Sequence, residues 1–217
     1  MAFVTWVGNG LVLWGRYRDE NRSVSIVIRN LAVADMLMGL YLSIIAIQDY
    51  RYRQKYSVVA IEWMKSWSCA VAGILAMVSS EVSLLILAFM SVERFLLIAD
   101  PFSGHRRLNS QNIIICLFTI WLCGLSLAIM PVILWRSSTK YYGVYSGTCF
   151  PLFIQDRFPP GWEYSAFVFL GVNLTLLVLI ATLYTALLFS IWKTRRATPL
   201  SLFDCEFAIR FAIFALL

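Results

Sequence analysis

Histidine is nearly absent: one residue, His105, in 217, and it stands in the basic stretch "SGHRRLN". A lone histidine without companion ligands makes no metal site, and a solvated loop residue is its simple reading. No glycine-rich phosphate loop, Cys-x-x-Cys pair or Gly-x-Ser-x-Gly elbow occurs, so nucleotide, thiol-redox and hydrolase chemistry lack their usual carriers. Internal repeats and low-complexity tracts are missing too. Charged residues make up only 14%, against roughly 25% in an ordinary soluble domain. The expectation is a protein that is not an enzyme and has no cofactor.

What fills the space is apolar. The chain is 60% hydrophobic, with runs of the length that a hydrocarbon core about 30 Å thick requires. The fold class expected is all-α, a polytopic bundle of transmembrane helices in a lipid bilayer. The net charge of +6 raises the question of nucleic acid, but the basic residues gather on no single tract or face. In a membrane protein such an excess reflects loops facing anionic lipid.

The first apolar stretch, residues 1–14, lacks a basic n-region and a cleavage site and is too short to span. It reads as the end of a first helix whose beginning lies upstream. Further helices are expected at 24–49, 69–98, 110–134 and 164–192, and 205–217 as the start of a sixth. Truncation at both ends of a single membrane domain, 1–217, is the expectation. The loop at 135–163 carries "PPGW" and several glycines, as an ordered non-helical segment would. Basic residues fall on both sides (Arg16, Arg106, Lys193 and others against Arg51, Lys65, Arg157 and others), so their bias does not settle orientation.

Five cysteines occur. Cys116 and Cys123 lie within the fourth span and read as buried hydrophobes. Cys69 and Cys149 fall on one side of the membrane, which fits a disulfide in an oxidising compartment; coincidental placement is the alternative. Cys205 then falls on the reducing side. The sequons at Asn21 and Asn173 lie in a cytosolic loop and mid-membrane, where no glycan is expected.

Polar residues inside spans are costly, about 2.5–3.5 kcal/mol for a central charge on insertion scales. Asn9, Asp35, Glu81 and Ser83 are expected to face the bundle interior and to bond one another. A polar core that holds a cation or switches its packing is one reading; interhelical adhesion worth about 1–2 kcal/mol is the other. Asn9 fits adhesion, whereas a lone carboxylate such as Asp35 is poor adhesive. Glu81 has no base near it in sequence, and two readings stay open: a protonated carboxyl, or a bond to the fifth helix.

Several of these features coincide in one family. "GNGLV" with Asn9, "NLAVAD" with Asp35, Cys69 ahead of Arg94 in "ERF", Trp121 and Pro131, and Tyr184 low in the fifth helix come in a telling order. Together they resemble the rhodopsin-like (class A) G-protein-coupled receptors. "NLAVADMLMGLYL", "SSEVSLLIL", "GTCFPL" and "FLGVNL" are similar to the relaxin-receptor branch of the leucine-rich-repeat-containing receptors. The resemblance covers the whole chain. It implies a plasma-membrane receptor for a relaxin- or insulin-like peptide, captured mainly by a large extracellular part that is not in this sequence. Glu93 replaces the usual aspartate before the arginine, and Leu176 stands at the usual fifth-helix proline.

The resemblance also implies a switch. Arg94 would rest on Glu93 and on an acid at the foot of the sixth helix, Asp204 first and Glu206 second. Activation would swing that helix outward and free Arg94 for a heterotrimeric G protein, with Tyr184 steadying it. An arginine snorkelling to the interface is the plain alternative. A sodium ion at Asp35 and Ser83 is a further implication, weakened because the usual seventh-helix partner is not in the sequence. Ala76 stands where amine receptors keep an aspartate, which agrees with a peptide agonist, and "YYGVYSGTCFPL" reads as a lid. Two rivals remain: a truncated, non-signalling form that associates with intact receptors as an oligomer, and a transporter or channel. Inverted repeats and broken helices would mark the latter, and neither is seen.

Overall fold

The computed structural model describes residues 2–15, 22–53, 55–99, 110–135, 148–150 and 161–197. These are helical almost throughout: α1 (Ala2–Gly15), α2 (Arg22–Tyr52), α3 (Tyr56–Lys65), α4 (Trp67–Ala99), α5 (Ser110–Trp135), α6 (Trp162–Ala166) and α7 (Leu174–Ala197). A π-helical stretch, Phe167–Asn173, lies between α6 and α7. Among the described residues, four stretches are long and apolar enough to cross a membrane: Val24–Tyr52, Trp67–Ile98, Ser110–Leu134 and Trp162–Trp192. α4 has 33 residues, roughly 50 Å at 1.5 Å per residue, longer than the hydrocarbon core requires.

The chain divides into two compact units. The first takes Met1–Ile86 and Leu108–Asn173, the second Leu87–Arg107 and Leu174–Leu217.

In the first unit, α5 shows how an all-apolar helix chooses its inner face. Ile113, Leu117, Gly124, Ala128 and Pro131 are buried, with Trp121 half-buried in the same row. That spacing of four, four, three, four and three is one stripe of a 3.6-residue helix. The opposite face (Ile115, Phe118, Leu122, Ile133) stays exposed, as suits a surface against lipid tails. Packing is close where side chains are small. Ala32, Ala34, Ala72 and Ala76 are at most 2% exposed, letting backbones approach as membrane helices require. Gly124 is the extreme case: a Cβ there would stand 2.5 Å from Val82 Cγ2.

Several hydroxyl groups in the spans bond to their own helix. Ser43 Oγ donates to Gly39 O at 2.8 Å and Thr119 Oγ1 to Ile115 O at 3.0 Å. Such back-bonding lets even an exposed threonine sit against hydrocarbon without an orphaned donor. Pro131 poses the reverse problem. A proline has no N–H, so inside α5 it leaves the carbonyl four residues earlier, on Leu127, without its helical donor. The hydroxyl of Tyr164, from α6, donates to that carbonyl.

α3 lies between the helices expected at 24–49 and 69–98, where no helix is expected from sequence. Tyr56, Ala60, Trp63 and Met64 recur at helical spacing, and Trp63 and Met64 pack into a core with Tyr41, Cys69, Ala72, Ala76 and Cys149. Burial of that face, rather than a cap, forms the helix, since Lys55 at its N-cap makes no side-chain bond.

The second unit holds the last turns of α4 and the whole of α7. Ser91 Oγ donates to Leu87 O at 2.7 Å and Thr185 Oγ1 to Ala181 O at 2.7 Å. Phe189 and Trp192 stack obliquely, ring centroids 6.0 Å apart.

Candidate functional site

At one end of the first unit, Cys69 and Cys149 form a disulfide with their Cα atoms 5.3 Å apart. Both are fully buried. Tyr41 on α2 reaches the same segment, its hydroxyl donating to Thr148 O at 2.8 Å. Phe150 packs on Phe169 of the π stretch, centroids 5.5 Å apart. Cys149 has φ 52°, in the left-handed region that L residues seldom enter. Residues 148–150 are therefore held from three sides: by α4, by α2 and by the π stretch. Cys116 and Cys123 are free; Cys123 is exposed on α5 rather than buried, because it lies off that helix's inner stripe.

Deeper in the same unit, the polar residues do not form the single network expected. Ser83 Oγ donates to Asp35 Oδ1 at 2.8 Å, joining α4 to α2. Asn9 turns to its own helix, its Nδ2 donating to Thr5 O at 3.0 Å. It therefore does not act as adhesive through that amide, because the carbonyl one turn back is a nearer acceptor than another helix. Glu81 is 0% exposed and accepts from Asn173 Nδ2 at 3.0 Å, so the bond to the fifth span is the contact made. Two side-chain oxygens at Asp35 and Ser83 do not by themselves enclose a cation, and no cluster of three His, Cys, Asp or Glu residues occurs among the described residues.

Two participants were not singled out from sequence. Asn30, inside "NLAVAD", accepts from Trp121 Nε1 at 3.0 Å and so ties α2 to α5. Asn173 stands in a sequon where no glycan is expected; its signal is an amide alone in the apolar run "FLGVNLTLL".

In the second unit, Glu93 is half-buried and Arg94 exposed near the end of α4. Neither has a hydrogen-bond or ion-pair partner among the described residues, so the expected rest of Arg94 on Glu93 is not formed here. Consecutive residues on a helix diverge by about 100°, which works against that contact. Tyr184 on α7 is half-buried, and its hydroxyl oxygen is enclosed without a hydrogen-bond partner among the described residues. Asp204, Glu206 and Cys205 lie outside the described residues, as do His105 and most of the lid stretch.

A helical membrane bundle with a disulfide at the head of α4, a carboxylate–serine bond between α2 and α4, and an arginine at the foot of α4 is the frame of a seven-helix receptor. Residues 8–201 match the family described as 7 transmembrane receptor (rhodopsin family), and the chain belongs to that family, whose members are multi-pass membrane receptors. It is 39% identical over 203 residues to Relaxin receptor 2 of Canis lupus familiaris, covering 91% of this chain and 27% of that receptor. To Relaxin receptor 1 of Mus musculus it is 36% identical over 197 residues, 89% of this chain and 26% of the relative. G-protein coupled receptor GRL101 of Lymnaea stagnalis is 37% identical over 199 residues, 91% of this chain and 18% of the relative. The similarity to relaxin receptors expected from the sequence is thus found. The chain spans about a quarter of the length of the relaxin receptors it matches.

Proposed function

We propose that the chain is the membrane part of a receptor for a relaxin- or insulin-like peptide hormone, signalling through a heterotrimeric G protein at the plasma membrane. The observation that carries this is the similarity to relaxin receptors 1 and 2 across about nine-tenths of the chain. The described geometry is consistent with it. One end of the first unit is fixed by the Cys69–Cys149 bond, and Ala76, in the adjoining core, offers no charge for a cationic amine.

In this reading the peptide acts through an extracellular part, and the signal leaves through Arg94. Its exposure suits a residue that meets a partner rather than one that stabilises the fold, since surface charges contribute little. Asp204 would hold Arg94 at rest, and Tyr184 would take it up on activation with its otherwise unused hydroxyl. A ligand moves such an equilibrium only by binding one state more tightly. The test is Arg94→Ala in the complete receptor. Second-messenger output should be lost while labelled peptide still binds at the cell surface; undiminished output would remove Arg94 from the role.

A further inference from the structure

Glu81 and Asn173 leave donors and acceptors unbalanced. Asn173 Nδ2 donates to Glu81 Oε1 at 3.0 Å. Glu81 Oε2 and Asn173 Oδ1, the remaining oxygen of each group, are enclosed and have no hydrogen-bond partner among the described residues. Both orphans are acceptors, so neither satisfies the other as long as Glu81 is a carboxylate. The usual remedies are missing among the described residues. No lysine or arginine pairs with Glu81. The hydroxyl of Tyr164 has its one proton directed to Leu127 O. Asp35, the other acid of this unit's interior, is engaged by Ser83.

We propose that Glu81 is a carboxylic acid in the folded protein and that it closes a two-bond acid–amide ring with Asn173, clamping α4 to the π-helical stretch. One added proton satisfies both orphans: Oε2–H donates to Asn173 Oδ1 while Nδ2–H continues to donate to Oε1. Exchanging the amide's oxygen and nitrogen would not remove the need, because two oxygens at hydrogen-bond distance also require a proton between them. A neutral acid avoids the burial of an unpaired charge, which is the costliest arrangement in a membrane interior. The position of Asn173 is part of the device. It is the last residue of the π stretch, where five-residue hydrogen bonding advances the helix face relative to an α-helix and resets which side chains face α4. Glu81 is thus a positioning residue that fixes the register of the π stretch, and the clamp is a property of this unit whichever hormone the receptor binds.

The test uses the full chain and two readouts, the infrared spectrum of the purified protein and its level at the surface of cells that express it. In the infrared difference between the parent and Glu81→Gln at neutral pH, the carbonyl band of a protonated carboxylic acid should be present for the parent and lost in the variant. An unchanged acid region would mean that Glu81 is ionised and would overturn the proposal. Glu81→Gln also keeps one acceptor and one donor in place, so its surface level should stay within about twofold of the parent, whereas Glu81→Ala leaves Asn173 unanswered and falls well below. If the glutamine variant fell as far as the alanine variant, the ring would be wrong even with the band in place.

Discussion

The hydroxyl of Tyr164 answers the backbone carbonyl of Leu127, the one group in α5 that Pro131 strips of its helical donor. A proline inside a membrane helix is tolerated when a neighbouring helix supplies the missing hydrogen bond, and here the donor is a side chain from the segment that leads into the π stretch. The bond joins the defect in one helix to the start of another.

That pairing makes a double-mutant prediction. Tyr164→Phe should cost about 1–2 kcal/mol of stability, by leaving a buried carbonyl unpaired. In a Pro131→Ala background the same substitution should cost clearly less, because replacing the proline restores a backbone N–H to the carbonyl of Leu127. Thermal unfolding of the four variants in detergent measures the coupling, and equal costs in both backgrounds would break the link.

Gly124→Ala should destabilise by about 1–3 kcal/mol, the usual cost of forcing an atom into a packed core. The obstacle is the γ-methyl of the buried Val82, whose rotamer is stiff in a helix. Gly8→Ala meets no atom within 4 Å and should be neutral or slightly stabilising, as a helical Gly-to-Ala change in open space is. Melting temperatures of the two variants, compared side by side, decide the point.

The Cys69–Cys149 bond closes a separation of 80 residues, for which loop entropy suggests about 4–5 kcal/mol of stabilisation. Cys69→Ser and Cys149→Ser should each lower surface expression steeply, and the double variant should be no worse than either. A double variant well below both singles would mean that one cysteine has a separate role.

Tyr184→Phe should leave stability almost untouched, within about 0.5 kcal/mol, because the hydroxyl it removes has no partner to lose among the described residues. Agonist-driven output should nevertheless fall about fivefold or more if that hydroxyl meets Arg94 only in the active state. Parallel measurement of unfolding and second messenger separates the two effects, and a loss of stability without loss of output would reverse the assignment.

What the sequence disclosed follows physical range. Long apolar runs show themselves as membrane helices because hydrophobicity accumulates along the chain, and two cysteines on one side of the membrane suggested their bond. α3 was hidden because its buried face is only Tyr56, Ala60, Trp63 and Met64, diluted by "YRYRQK" and Glu62. The π stretch was hidden because "FVFLGVN" contains no proline and its hydrogen-bond shift leaves no local mark. The partners of Trp121 and Glu81 sit 91 and 92 positions away in sequence, so only packing reveals them. Asn9 showed the converse: its most available acceptor was one turn away, and a polar residue in a span did not need a distant partner.

α2 draws the first unit's contacts together. Gly39 receives the Trp6 ring of α1, to which a Cβ would come within 3.2 Å. Asp35 takes Ser83 of α4, Asn30 takes Trp121 of α5, and Tyr41 takes the carbonyl beside the disulfide. Those four positions meet four different neighbours, so a turn of α2 about its own axis would disturb every one of these contacts together. Within the first unit α2 is built as a stator, the common anchor to which α1, α4, α5 and the disulfide segment are tied.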